Sequence, residues 1–235
     1  MKLKRVAFCT ALIAVFLLRA QASFAAPGEE TELDKVLRKL DAAAARFHST
    51  SADFQFDSVE TDPVPDTDVQ KGTVYYERTE KTFKAAAHIR EENSKPVPKV
   101  WVYNGGSFKL YEQLIDQVTT LSKLSQYESW FMLGFGASGK DLEQKWEIKY
   151  LGPETLDGVK TDTLELVPKD PGVKKNLSKV KLWVDAERGI NLKQVFYFGP
   201  STYKVCVYFN IKVNQALPTD AFTLKTDSKT VYVNR

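Results

Sequence analysis

The feature that most constrains this chain of 235 residues is one amphipathic helix followed by strand-like alternation over most of the remaining sequence. Between Thr31 and Phe47, apolar residues recur at three- and four-residue spacing and form one stripe along a helix: Leu33, Val36, Leu37, Leu40, Ala44 and Phe47. Thr31 and Asp34 make a capping-box pattern at the start of this helix. Such a helix is stable only when its stripe packs against another surface, so the strands that follow must supply that surface.

The segments after the helix alternate apolar and polar residues with a period of two. The segments with this pattern are 54–57, 73–78, 83–89, 99–110, 146–150, 163–166, 180–185, 192–198 and 203–210. Turn-forming pairs such as Asn104-Gly105 and Arg188-Gly189 separate many of them. The pattern predicts about ten strands in one antiparallel, meandering sheet with an apolar face and a solvated face.

The alternation also assigns side chains to the two faces of that sheet. In the segment 203–210, Val205 and Val207 fall on the apolar face and Cys206 on the solvated face, so Cys206 is expected to be accessible. In the segment 180–185, Leu182 is expected on the apolar face and Trp183 on the solvated face.

The first 26 residues have the three parts of a secretory signal peptide. A basic start precedes an apolar run from Val6 to Leu18, and small residues suited to cleavage follow at 20–26. The run is short for a helix that crosses a bilayer, and an N-terminal anchor helix is the alternative interpretation. We therefore predict a signal peptide over residues 1–26, export of the protein, and a single domain over residues 27–235.

Removal of the signal peptide changes the charge balance. The full chain carries a formal net charge of +3, but residues 1–26 hold four basic and no acidic residues, so residues 27–235 carry −1. A near-neutral domain lacks the basic surface typical of nucleic-acid binding. It keeps one cysteine, Cys206, which excludes an intramolecular disulfide, so its stability must come from an apolar core.

The sequence offers little for catalysis. Its two histidines, His48 and His88, lack metal-ligand spacing, and no nucleophile-elbow, zinc-protease, phosphate-loop or dinucleotide-binding motif occurs. Glu91 and Glu92 lie in a predicted loop and are expected to be solvated rather than catalytic. We therefore predict a protein without catalytic residues, bound metal or cofactor.

Apolar surface, in contrast, is abundant. A sheet of about ten strands needs cover over its whole apolar face. The cover available is the helix, a second helical segment within Leu121–Gly136 and a turn near Thr219–Phe222. The second segment, bordered by glycines, is either a plug in the core or a mobile lid. Either the sheet folds onto itself as a filled sandwich, or an apolar cavity remains that can bind an apolar ligand.

A series of short motifs resembles the LolA family of periplasmic outer-membrane lipoprotein carriers over nearly all of residues 27–235. The matching stretches are Phe47, Ser51–Phe54, Gly72–Arg78, Phe83–Lys84, Val100–Ser107, Gln117–Thr119, Leu164–Lys169 and Ala221–Leu224. No single stretch is specific, but their order and spacing together are.

The resemblance implies a fold that is mainly β with a few helices: an open, unclosed antiparallel β-barrel with a helical lid over an apolar cavity. It also implies that Arg78 ties the lid to the barrel through backbone carbonyls, with a surface ion pair to Glu77 or Glu80 as the alternative. Together with the assigned faces, it predicts that acyl chains contact Leu37, Leu40, Val74, Tyr76, Phe83, Val100, Val102, Phe108, Leu110, Leu124, Phe131, Leu182, Val205 and Val207.

The function implied by the resemblance is that of a monomeric periplasmic carrier, which shields the acyl chains of lipoproteins between the inner and outer membranes. An inner-membrane ABC lipoprotein exporter would be the donor and an outer-membrane receptor the acceptor. Two alternatives stay open on the same fold: a lipid- or lipoprotein-sensing domain that binds without transfer, and a lipid hydrolase.

Overall fold

The computed structural model describes residues 30–79, 83–121, 133 and 135–235. The predicted signal peptide and most of the predicted second helical segment lie outside these residues. The described helices are α1 (Glu32–Ala44), α2 (Gly139–Lys145) and α3 (Pro171–Lys174), with a 3-10 turn at Gln113–Ile115. The strands are β1 (Ser49–Glu60), β2 (Asp66–Arg78), β3 (Phe83–Glu92), β4 (Lys95–Asn104), β5 (Ser107–Glu112), β6 (Gln117–Leu121), β7 (Trp146–Leu156), β8 (Val159–Pro168), β9 (Lys179–Asp185), β10 (Ile190–Tyr197), β11 (Thr202–Val213) and β12 (Val231–Asn234).

The strands form one sheet in the order β12-β6-β5-β4-β3-β2-β1-β11-β10-β9-β8-β7. Neighbouring strands are antiparallel, except that β12 runs parallel to β6. The two edge strands, β12 and β7, do not pair with each other, so the sheet is not closed into a barrel. The predicted class, mainly β with a few helices and an open sheet, is confirmed. Among the described helices, none has both the length and the apolar character needed to cross a membrane.

Helix α1 begins where the sequence pattern predicts. The Thr31 hydroxyl accepts a hydrogen bond from the Asp34 backbone N–H at 3.1 Å, and the Asp34 carboxylate accepts one from the Thr31 N–H at 3.0 Å. This capping box satisfies two of the backbone donors that a helix start leaves unpaired. The helix ends at Ala44, three residues before the predicted end, and Phe47 is buried just beyond it.

The face of the sheet that contacts α1 is called the inner face below. Over β7–β10 this face is filled by a group of buried side chains that we call the helix core: Val36, Leu37, Leu40, Leu133, Leu142, Trp146, Leu164, Leu166, Leu177, Val180, Leu182, Val184, Ala186 and Phe196. Helix α2 packs closely on α1, because a Cβ at Gly139 would lie 2.5 Å from the Leu37 carbonyl oxygen. The Asp41 carboxylate on α1 also accepts a hydrogen bond from the Lys140 N–H at 3.1 Å.

The opposite, outer face is not uniformly solvated, contrary to the prediction. An outer cluster of Ala86, Val100, Val102, Tyr111 and Val118 is buried beneath Phe222 and Leu224 of the segment between β11 and β12. His88 fixes this segment through a hydrogen bond between its Nε2 and the Ala221 carbonyl at 2.9 Å. The predicted turn at Thr219–Phe222 does form, but it covers the outer face instead of the inner one.

Candidate functional site

A cavity of about 520 Å³ lies on the inner face of the sheet, over β1–β5, β10 and β11. Most of its walls are aromatic or aliphatic, and its volume is within the usual range of small-molecule sites, about 300–1,000 Å³. The described residues that line it include Phe54, Phe56, Ser58, Gln70, Val74, Tyr76, Ala85, Ala87, Ile89, Lys99, Trp101, Tyr103, Phe108, Leu110, Leu121, Gln194, Phe196, Phe198, Lys204, Cys206 and Tyr208.

The register of β2, β3 and β4 places small side chains in the wall of the cavity. Ala85 pairs with Tyr76 on β2 and with Tyr103 on β4, and Ala87 pairs with Val74 and Trp101. Since cross-strand partners lie side by side on one face, each alanine leaves a gap between two larger neighbours. Part of the cavity is therefore volume that a larger residue on β3 would fill.

Phe135 separates the cavity from the helix core. Its ring is 1% exposed and lies 4.8 Å from the Tyr76 ring and 4.9 Å from the Tyr208 ring, measured between centroids. The following backbone also packs tightly, because a Cβ at Gly136 (φ +70°) would lie 2.4 Å from the Phe47 ring. Gly136 and Gly139, predicted to border a plug or a lid, thus both allow close packing against α1 and Phe47.

Three buried polar groups lie together in the wall. The Tyr208 hydroxyl is next to the Tyr76 hydroxyl and the Cys206 thiol. Burial raises the pKa of the Cys206 thiol to about 12 and also raises the pKa of both tyrosines. At pH 7, about one Cys206 in 10⁵ would be a thiolate, so this cysteine is not a ready nucleophile. No group of residues suited to hold a metal ion occurs in the described part of the chain.

Two cationic side chains among the described residues line the cavity, Lys99 on β4 and Lys204 on β11. The Lys99 ammonium is paired with the Glu92 carboxylate at 2.8 Å, and Glu92 also accepts a hydrogen bond from Gln70 at 3.0 Å. The Lys204 ammonium lies 5.6 Å from the ring centroids of both Phe56 and Phe198, where cation–π attraction holds it. The cavity therefore combines a long apolar wall with a positively charged group.

Four of the predicted cavity residues line the cavity: Val74, Tyr76, Phe108 and Leu110. A fifth, Phe83, packs beside them, with its ring centroid 5.9 Å from that of Tyr76. Two further predicted residues, Leu124 and Phe131, lie outside the described residues.

Seven predicted cavity residues lie elsewhere. Leu37, Leu40 and Leu182 belong to the helix core, which α1 and α2 fill. Val100 and Val102 point to the outer face, where the segment before β12 covers them. Val205 and Val207 also lie on the outer face, because the inner positions of β11 belong to Cys206 and Tyr208.

The strand β11 changes face near its end. The pairing of β1 with β11 shifts by one residue near Asn210, which adopts a left-handed conformation with φ 52°. Such a bulge reverses the faces of all residues beyond it. Ile211 and Val213 therefore pack on the inner face, whereas Phe209 is 46% exposed. The prediction that Cys206 is accessible is wrong: it is 5% exposed, because Cys206 and Tyr208, rather than Val205 and Val207, point to the inner face.

Trp183 is on the outer face, as predicted, but it is not solvated. Its Nε1–H donates to the Glu154 carboxylate at 2.8 Å, and the Lys181 and Lys193 ammonium groups lie 4.4 and 4.8 Å from its ring centroid. The alkyl stems of long cationic side chains can cover an aromatic ring in this way. Its side chain is consequently only 6% exposed.

Arg78, the predicted latch, lies at the end of β2 next to the helices. Its guanidinium carbon is 5.8 Å from the ring centroid of Phe47, just after α1, and its backbone N–H donates to the His48 carbonyl at 2.8 Å. Burial lowers the pKa of Arg78, and the negative charge of Asp141 on α2 opposes that shift. Of the two acidic residues in the alternative prediction, Glu77 is paired with Lys84 at 3.1 Å, and Glu80 lies outside the described residues.

Several cavity residues were not predicted as such. Alternation predicts Trp101 and Tyr103 on the solvated face, because Val100 and Val102 take the apolar one. It predicts Tyr208 on the solvated face in the same way, opposite Val207. Gln194 stands at the period-two position between Leu192 and Phe196, and this spacing is the signal that could have indicated its inward orientation. Knowledge that the outer face of β4 is covered would have corrected the first two assignments.

Comparison with known proteins gives a distant relative. No protein-family model matches the chain. The uncharacterized protein MJ0687 of Methanocaldococcus jannaschii is 24% identical over 211 residues, which are 90% of this chain and 56% of that protein. The chain therefore spans about half the length of the curated relative that it matches.

Solved structures are similar to the fold. An uncharacterized conserved protein from Thermus thermophilus has a TM-score of 0.55 at 10% identity, covering 87% of this chain and 100% of that one. MucB has a TM-score of 0.52 at 13% identity, covering 88% and 67%. LolA superfamily protein NE2245 from Nitrosomonas europaea has a TM-score of 0.41 at 18% identity, covering 82% and 97%. At these identities the likeness shows the fold alone.

Proposed function

We propose that this protein binds the acyl chains of lipoproteins in the cavity on its inner face and carries them, as a monomer, across the periplasm from the inner to the outer membrane. The observation that supports this proposal is the cavity itself: about 520 Å³ with walls that are mostly apolar. Each buried methylene of a ligand contributes about 0.8 kcal/mol, so ten of them contribute about 8 kcal/mol before the cost of ordering the chain. Acyl chains can therefore bind tightly without any catalytic residue.

The finer parts of the proposal come from the resemblance to lipoprotein carriers. A signal peptide over residues 1–26 would direct the chain to the periplasm, an inner-membrane ABC exporter would load it, and an outer-membrane receptor would unload it. In this scheme Val74, Tyr76, Phe83, Phe108 and Leu110 contact the acyl chains. Leu124 and Phe131 remain proposed contacts as well.

Arg78 is proposed to couple the helices to the cavity. Its guanidinium is partly desolvated between Phe47 and the helix that carries Asp141, so it needs hydrogen-bond acceptors in that region. Carbonyls at helix ends are suitable acceptors for a cation. Contacts of this kind, formed only when the cavity is closed, would favour expulsion of the cargo.

Incubation with a purified triacylated lipoprotein, followed by addition of outer-membrane vesicles, tests the proposal. Transfer of the lipoprotein to the vesicles is the expected result. Stable retention would instead favour the sensing alternative, and release of free fatty acid would favour the hydrolase. Mass spectrometry of lipids extracted from the natively purified protein provides an independent check, because a bound acyl lipid is expected at close to one per chain.

A further inference from the structure

One polar atom in the cavity wall has no partner within the protein. The side chain of Gln194 is 2% exposed, and its Nε2 is buried without a hydrogen bond. Across the described residues, the other buried side-chain atom in this state is the hydroxyl oxygen of Thr50, which does not line the cavity. The second glutamine in the wall, Gln70, differs because its Nε2 donates to Glu92 at 3.0 Å.

The position of Gln194 follows from the strand register. It lies on β10 opposite Cys206 on β11 and Leu182 on β9, and both neighbours point to the inner face. A leucine at this position would pack at least as well against them. Buried amide groups in native proteins nearly always have a hydrogen-bond partner, so an unpaired amide on a residue that lines a cavity indicates that a ligand supplies the partner.

The neighbouring polar groups indicate what that partner must be. The Cys206 thiol and the hydroxyls of Tyr208 and Tyr76 lie next to one another. Lys204, two residues from Cys206 on the same strand, adds an ammonium group to the same wall. An amide N–H and an ammonium are both donors, so the complementary ligand atom is an acceptor oxygen.

We propose that Gln194 Nε2 donates a hydrogen bond to the carbonyl oxygen of a bound acyl group, so that the cavity selects acyl esters and amides over alkyl chains of equal length. This inference rests on the proposed binding of acyl chains, and it adds the linkage that the cavity recognises. An ether-linked or plain alkyl chain would fill the same apolar volume and leave the amide unpaired. Discrimination arises because a site built to bond an oxygen loses that bond with a ligand that lacks it.

Two lysophosphatidylcholines that differ in one group provide the test: one carries a hexadecanoyl ester and the other the corresponding hexadecyl ether. Calorimetric titration below the micellar concentration should show that the wild-type protein binds the ester more tightly, by about two- to tenfold, which is the range for one neutral hydrogen bond. Gln194→Leu should bind the ether with wild-type affinity and show no preference for the ester. The matched control is Gln55→Leu, whose amide lies outside the cavity and donates to Asp57 at 3.0 Å; it should keep the preference.

A measurement without ligand adds a second criterion. If the amide is unpaired in the free protein, Gln194→Leu removes a buried donor and should raise the Tm, by about 2–4 °C for a domain of this size. Three results would each overturn the inference and leave acyl-chain binding in place. They are equal affinity of the wild-type protein for both lipids, a preference for the ester that survives in Gln194→Leu, and a Tm of that variant below the wild-type Tm. Failure of the wild-type protein to bind either lipid would overturn the proposed function, and this inference with it.

Discussion

Ala85→Phe tests whether the volume beside β3 is the binding volume. Ala85 is 8% exposed and lies between Tyr76 and Tyr103, with the cavity above it. A cavity of about 150 Å³ holds a benzene ring, so an added phenyl group would occupy up to about a quarter of the 520 Å³ present. The substitution should therefore fill space that an acyl chain otherwise takes.

The expected effects on folding and on binding have opposite signs. Burial of the phenyl group should stabilise the free protein by about 1–2 kcal/mol, somewhat less than full burial of a phenylalanine side chain, since the cavity is open to solvent. The ring should displace about four methylenes of the ligand, at about 0.8 kcal/mol each, or about 3 kcal/mol in all. That loss corresponds to an increase of more than a hundredfold in the Kd for a hexadecanoyl lipid.

Thermal unfolding and calorimetric titration of the variant measure the two effects. Lys84→Phe is the matched control, because Lys84 precedes Ala85 on β3 and its ammonium is paired with Glu77 on the other face. That control should bind the lipid with wild-type affinity. A folded Ala85→Phe variant with unchanged affinity would refute the assignment of this cavity as the site, and a large drop in Tm would refute the claim that space above Ala85 is free.

Further predictions concern single residues. In a Cys9→Ser background at pH 8, Cys206 of the folded protein should react with a maleimide about a thousandfold more slowly than Cys206 of the protein unfolded in urea, because burial raises its pKa to about 12. Equal rates in the folded and unfolded protein would place Cys206 on the surface. Arg78→Leu should fold and bind acyl lipid but release it to acceptor vesicles about tenfold more slowly, since charged hydrogen bonds contribute about 1.5–3 kcal/mol; unchanged release would reject the latch. Trp183→Lys should lower the free energy of unfolding by about 2–4 kcal/mol in urea titrations, because it removes a buried ring and leaves Glu154 without the indole N–H donor. A change below about 0.5 kcal/mol would mean that the ring is solvated. Burial and a hydrogen bond to a carboxylate raise the pKa of Tyr150 to about 12, so its contribution to stability is complete below pH 10 and is lost as the pH rises towards 12. The Tm of Tyr150→Phe should therefore fall less steeply over that interval than the Tm of the wild-type protein. Parallel curves of Tm against pH for the two proteins would contradict the raised pKa.

The sequence alone determined the features that depend on near neighbours. The start of α1 was predictable because the capping box joins Thr31 to a residue only three positions away. The turn at Asn104–Ser107 was predictable because Gly105 and Gly106 can adopt positive φ, here 54° and 84°. The faces of β2 and β3 were also assigned correctly, as Val74 and Tyr76 line the cavity and Phe83 packs beside them.

Tertiary structure decided the faces of β4 and β11, because these strands do not have one apolar and one polar face. On β4, Val102 and Tyr103 are both buried, on opposite faces, since the distant segment at Phe222 covers the outer one. On β11, apolar side chains occupy both sets of alternating positions, and only the fold decides that Cys206 and Tyr208, rather than Val205 and Val207, face inward. Alternation cannot indicate which face is inner when both are covered.

The cavity is likewise a property of the fold as a whole. Its volume depends on which residues are brought opposite Ala85 by the register of three strands, and on where α1 and α2 stop covering the sheet. Gln194 has the parity of Leu192 and Phe196, so alternation indicates its face, but only the fold shows that it lines a cavity and that its amide has no partner. Local patterns therefore predicted the elements and the class of fold, whereas long-range packing decided which side chains form the site.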